Sequence, residues 1–172
     1  MQVPVRRSRV VSSRPFEEVV ARLTAAIGRP DPGEFHGALA AATTVTALEA
    51  VVRSAVGASD LIEFARFDAG HVLRAGGGAA PKILRLVVGN PLIMKAMAET
   101  VPDAAAYAPL TILVDERADG VHLSYDSMAS LVAPYGSQAA LTVARNLDAK
   151  IEGLLGSAAR GPAGAEQAPT PT

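Results

Sequence analysis

The sequence predicts an α+β domain, one mixed β-sheet with helices packed on it, and three observations carry that expectation. Short apolar, β-branched runs at Leu61–Phe67, Lys82–Val88, Leu110–Asp115 and Val121–Tyr125 alternate with longer stretches whose apolar residues recur at helical spacing. The strongest of these runs, Lys82–Val88, passes through Gly89 into Asn90-Pro91, which reads as a strand–turn–helix junction. Glu116–Gly120 joins two of the runs as a hairpin loop.

Each element has a local reason. Val3 to Ser12 reads as a first strand, with Val3, Val5, Val10 and Val11 as its apolar positions. Ser13 offers a cap and Pro15 sits where a helix start tolerates proline. Phe16, Val19, Val20, Leu23 and Ile27 then form one stripe, stopped by Gly28. Arg29 to Gly33 reads as a turn-rich linker. A second helix runs from Thr44 to Val56 on the stripe Val45, Leu48, Val52 and Val56, with Gly57 as its stop. In the strand that follows, Ile62 and Phe64 share one face, and Leu61, Ala65 and Phe67 the other.

Ala75 to Pro81 is a glycine-rich loop, and Lys82–Val88 is apolar enough for an interior strand. Asn90 is a favoured N-cap, and Pro91 loses no hydrogen bond at the first helical position, so a helix through Thr100 is expected. A short helix at Ser127–Ala133 precedes a longer one at Ser137–Leu155, closed by Gly156. The result is one domain over residues 1–156, followed by a small, polar, proline-rich stretch over 157–172 expected to be disordered.

Composition narrows the function classes. The chain has 172 residues, a net charge of -1 and scattered basic residues, so nucleic acid is not an expected partner. There is no cysteine, which removes disulfides, thiol nucleophiles and Cys-based zinc sites and fits a cytoplasmic location. Mean hydropathy is +0.25, raised by alanine and valine. Charged residues, Gly or Pro interrupt every stretch that approaches the ~18 apolar residues of a membrane span, and the opening residues are not expected to form a signal peptide. The preference for Arg over Lys and the abundance of alanine point to a GC-rich bacterial coding bias. Apolar surface in excess of what a small domain can hide implies a homo-oligomer interface, expected as a homodimer, or an apolar ligand pocket. Neither a dinucleotide fingerprint nor a Walker lysine is present, and no cofactor is expected.

The segment from Pro81 to Val132 resembles the domain of unknown function 302 family of bacteria and fungi. The likeness rests on Gly89-Asn90-Pro91, Met94 and Met97, Pro109-Leu110, Asp119-Gly120 and Tyr125, with Phe16-Glu17-Glu18 and the Phe64-to-Leu73 segment upstream. It is good from Ser59 to Gly136, weaker from Arg29 to Ala58 and absent in the tail. The resemblance implies an α+β fold, often dimeric, and no established common activity. Where that family often shows Asp-His-Gly, this chain has Asp68-Ala69-Gly70, with His71 next door. A role of the family's histidine therefore has no residue to fall on at Ala69.

The candidate chemistry is sparse. The helix opening at Asn90 either presents N–H groups to an anionic group of a ligand or is simply capped by that side chain. Asp68 and His71, three apart, are either a carboxylate-oriented general base or two solvated loop residues. Parity places His122 with Ser124 and Tyr125 with Leu123 and Val121, so Tyr125 faces the core, its hydroxyl at a polar edge or a pocket. Met94 and Met97 share a helix face and either fill core or form an adaptable ligand surface. A metal would need His36 or His122 as a third ligand without supporting spacing, and none is expected. No serine lies in a nucleophile elbow.

Two functions remain from these residues. In the first, the domain binds a small apolar organic molecule and carries out cofactor-independent acid/base, isomerase or cyclase chemistry on it, in bacterial specialised metabolism. Asp68, His71 and Tyr125 would act on the substrate, with Asn90, Met94, Met97 and His122 holding it. In the second, the chain is a non-catalytic homodimeric binding or accessory protein. A closed pocket reached by Asp68, His71 and Tyr125 together separates the two.

Overall fold

The computed structural model describes residues 2–75, 77 and 80–160. Its frame is one five-stranded sheet in the order β1-β5-β4-β3-β2. The strands are β1 (Arg7–Ser12), β2 (Ile62–Asp68), β3 (Ile83–Gly89), β4 (Leu110–Arg117) and β5 (Gly120–Asp126). Every strand pair is antiparallel, so the sheet is not mixed as expected. The one parallel link is an isolated bridge between Gly28 and Ile62. The hairpin turn is tighter than the sequence suggests: Arg117 pairs with Gly120, leaving only Ala118 and Asp119 between strands.

Helices α1 (Phe16–Ala25), α5 (Pro91–Ala98), α6 (Met128–Val132) and α7 (Gln138–Arg160) lie over one face of this sheet. The stripe on α7, namely Ala140, Ala144, Leu147, Ile151 and Leu155, repeats at three and four residues and is buried throughout. Against it stand the alternate strand residues Leu86, Ile112, Val114, Leu123 and Tyr125. Helix α7 does not stop at Gly156 but runs to Arg160, with Ala158 and Ala159 buried and the Ala159 carbonyl accepting from Ser12 Oγ at 2.8 Å. The tail beyond, 161–172, lies outside the described residues, as do 76, 78 and 79 of the glycine-rich loop.

Two helices are absent from the sequence expectation. Helix α2 (Pro32–Ala41) starts inside the supposed linker, where Asp31 accepts from Glu34 N at 2.9 Å and Pro32 occupies the first turn. Helix α4 (Ala69–Arg74) is a single short stretch directly after β2. Helix α2 packs with α3 (Val45–Ala55) on a second small core, built on Phe35, Val52 and Ile62.

Gly28 and Gly57 do more than stop helices. A Cβ on Gly28 would sit 1.9 Å from the Ala55 carbonyl oxygen, and one on Gly57 would sit 2.4 Å from that of Ala26. The two chains cross in contact, and both N–H groups donate to the Leu61 carbonyl, at 2.8 and 3.1 Å. Only residues without a side chain permit this crossing, which joins the small core to the large one.

A buried carboxylate secures α7. Asp148, 4% exposed, accepts from Ser127 Oγ at 2.5 Å, Met128 N at 2.8 Å and Ala129 N at 3.1 Å. It thereby caps α6 from another helix. Removing it leaves three donors without an acceptor in the interior. Asp148→Ala is expected to lower unfolding free energy by about 2–4 kcal/mol, seen as a lower urea midpoint at unchanged m-value.

Candidate functional site

The residues proposed for chemistry occupy separate parts of the molecule. Asp68 ends β2, an edge strand, and Tyr125 lies on β5 with β4 and β3 between them. Three inter-strand steps of ~4.8 Å separate the strands by roughly 14 Å. Asp68 caps α4 by accepting from the backbone N of His71 at 2.8 Å and pairs with Arg74 at 3.1 Å. That backbone hydrogen bond, with help from Arg74, holds its carboxyl below the usual range. The His71 imidazole is exposed, and it is the backbone of this residue, not its ring, that meets Asp68.

Tyr125 is 2% exposed, as its parity requires, and its hydroxyl donates toward Glu152 Oε1 at 3.3 Å and the Asp148 carbonyl at 3.4 Å. Burial, reinforced by the two neighbouring carboxylates, pushes the phenol well above its ordinary value, so it stays protonated. Met97 is fully buried core. His122, 5% exposed, places Nε2 2.8 Å from Asp119 Oδ1 and lies directly across from Asp115. The cavity that Asp68 lines, against Phe16, Arg66 and Lys82, includes neither His71 nor Tyr125 among its described residues.

Asn90 and Met94 do meet. They line a cleft of about 200 Å³ with Leu39, Phe64, Pro91, Ala108 and Pro109. Each wall has a local cause. The register of β2 on β3 shifts between Glu63 and Ala65, and the extra residue of that bulge is Phe64. Helix α2 supplies Leu39. Gly89 lets two of these walls close up behind it: a Cβ there would lie 3.1 Å from that of Pro109 and 3.6 Å from the Phe64 ring. Asn90 already serves the fold: Oδ1 accepts from Leu92 N at 2.9 Å, and Nδ2 donates to Asp60 O and Oδ1 at 3.0 and 3.1 Å, so neither N–H is left for a ligand. Its contribution to the cleft is position, and the lining is otherwise apolar.

A larger cavity of about 600 Å³ lies where β2 ends and β3 begins, against Phe16, Glu17, Arg66, Asp68, Lys82 and Glu116. Most of its charges are already paired: Lys82 with Glu17, Arg74 with Asp68, and Arg66 with the neighbouring Glu63 at 2.8 Å. Among the described residues, no group of three or more His, Asp or Glu is placed to hold a metal ion. Sequence reasoning also missed Tyr107 and Tyr135 as partners. Their hydroxyls lie 2.7 Å apart, which pushes Tyr135 up to about 12.

These placements separate a structural asparagine from a surface aspartate. Asn90→Ala is expected to cost about 1–3 kcal/mol in chemical denaturation, because a cap and two further hydrogen bonds are lost. Asp68→Asn is expected to cost much less, and in a pH-dependent way. A lowered folded-state pKa means that the Asp68 contribution is complete above the ordinary carboxylate range and disappears as pH falls through the lowered value. Melting temperatures of the two chains should therefore differ at about pH 7 and converge in strong acid; a constant difference would contradict this.

Comparison with known proteins adds the family and no activity. The model of DUF302, a domain of unknown function, matches residues 38–157. Among solved structures, an uncharacterized conserved DUF302 protein from Bacillus stearothermophilus is similar, with a TM-score of 0.62 and 14% identity over 90% of this chain and 98% of that one. No curated protein matches. At that identity the solved structure establishes the α+β fold, and the family match spans most of the chain: this protein belongs to the DUF302 family.

Proposed function

We propose that this domain binds a small, largely apolar organic molecule in the cleft between α2, β2 and α5. The observation that carries the reading is the lining itself: Leu39, Phe64, Pro91, Met94, Ala108 and Pro109, with Asn90 as the one polar side chain and its hydrogen bonds already made. Such a surface rewards burial of hydrocarbon and leaves no unpaired group to penalise it. A volume of about 200 Å³ suits a molecule of one or two rings, given that a dry ~150 Å³ cavity takes up benzene. Met94, half-buried on α5, adapts its unbranched side chain to the occupant.

The reading is of a binding protein more than of an enzyme. Acid/base, isomerase or cyclase chemistry by Asp68, His71 and Tyr125 requires them around one substrate, and the three inter-strand steps between β2 and β5 alone put at least roughly 14 Å between Asp68 and Tyr125. The homodimeric accessory role draws its support from a separate feature, the exposed Val11 and Phe67 on the sheet face away from α7.

Thermal-shift titration with indole and 1-naphthol tests the reading. Wild-type protein and His71→Ala should be stabilised alike in a concentration-dependent way. Met94→Trp, which fills the cleft while keeping an apolar side chain, should fold but lose the shift. An undiminished shift in Met94→Trp, or no shift at any concentration in wild-type protein, would overturn the cleft as the site.

A further inference from the structure

The charged cavity where β2 ends and β3 begins has a volume of about 600 Å³, within the roughly 300–1,000 Å³ range of small-molecule sites. It lies on the helix-covered face of the sheet. Glu116 shares the parity of the core residue Val114, and its N–H donates to the Lys82 carbonyl at 2.9 Å, which sets it beside the start of β3. Asp68 stands across from Leu84 on the neighbouring row. Phe16 and Glu17 bring the first turn of α1 to the same cavity.

The lining is of two kinds. Phe16, Ala80, Ile83 and Leu84 are apolar. The rest is charged, and the pairing of those charges decides what the cavity can hold. Each cation has a carboxylate: Lys82 has Glu17, Arg74 has Asp68, and Arg66 has Glu63 from outside the lining. Glu116 is the exception. Among the described residues its carboxylate makes neither an ion pair nor a hydrogen bond. The surroundings favour positive charge. A hydrogen bond to Glu17, reinforced by the fields of Glu17 and Glu116, holds the Lys82 ammonium above its ordinary value. Lys82 Nζ also stands 5.8 Å from the centroid of the Phe16 ring, whose face attracts cations.

We infer that this cavity is a second binding site, separate from the cleft, for an organic cation: an amine carried on an apolar body. Its ammonium donates to the Glu116 carboxylate, and its hydrocarbon lies on Phe16, Ile83 and Leu84. The same pairing disfavours anions, because a carboxylate or phosphate has to take Lys82, Arg74 or Arg66 from an acid already holding it. An ammonium at Glu116 breaks no existing pair. A neutral ring gains the apolar contacts alone and desolvates the Glu116 charge without compensating it. The cavity and the cleft beside Asn90 share no lining residue.

Tryptamine, with indole-3-acetate and tryptophol as its anionic and neutral counterparts, tests this in methyl-resolved NMR of the full chain. All three carry a ring suited to the cleft, so Met94 reports the cleft while the Ile83 and Leu84 methyls report the cavity. Tryptamine should shift Ile83 and Leu84 saturably, with an affinity at least tenfold above that of either counterpart and falling as salt is raised. Glu116→Gln, which keeps the shape and removes the charge, should cut that affinity at least tenfold with an unchanged circular dichroism spectrum. Met94→Trp should leave it intact. Equal or tighter binding of either counterpart at Ile83 and Leu84, no shift there at millimolar tryptamine, or undiminished binding by folded Glu116→Gln would each overturn the inference. The ligand ranking and its salt dependence are read on wild-type protein, so they decide the matter even where the variant does not fold. Shifts at Leu84 without any at Met94 would sink the cleft and leave this site standing.

Discussion

The side chain of Asn90 is the constraint on which the rest of this structure depends. With Oδ1 it caps α5 through Leu92 N, and with Nδ2 it holds the Asp60 carbonyl and carboxylate. Asp60 adopts φ 60, a left-handed conformation that non-glycine residues need help to keep. Its other carboxylate oxygen takes Lys150 of α7 at 2.6 Å. One buried amide thus ties the end of β3, the start of β2 and the longest helix together. A buried amide held by three hydrogen bonds is rigid, because each lost bond leaves a desolvated partner behind.

The cleft follows from that junction. Asn90 fixes where α5 begins, so Pro91 and Met94 form one wall, and the bulge at Phe64 forms another only because β2 starts at the turn that Asn90 holds. The Gly28–Gly57 crossing places the α2–α3 pair, and with it Leu39, at the same end of the sheet. What looks like a weak tripeptide is the meeting point of the two cores. The polar residues that suggested acid/base chemistry or ligand contact are committed elsewhere: Asp68 to a helix end, Tyr125 to α7, His122 to Asp119.

Much of the fold was legible because local signals agreed. The strand–turn–helix at Asn90, the hairpin after Arg117, the parity of Tyr125 and the stripe of α7 each rest on periodicity or capping within a short window. Helix α2 was not legible, since Arg29 to Gly33 read as a turn-rich linker while the cap at Asp31 went unweighted. The two glycine stops were found without their reason, because a close approach of distant chain segments leaves no local trace. For the site, Asn90 and Met94 were found, but Leu39, Phe64 and Pro109 come together only through tertiary structure. The pairing of Asp68 with His71 failed because spacing does not say whether a ring or a backbone N–H will be the partner.

The central claim is that the apolar cleft beside Asn90 is where a ligand sits. Methyl-resolved NMR titration with 1-naphthol reads this directly. Saturable shift changes should concentrate on Leu39, Met94 and Ala108, leaving Leu84 beside the charged cavity and the exposed Val72 and Leu73 beside His71 unmoved. Changes centred on Leu84, Val72 and Leu73, with Met94 unmoved, would contradict the account.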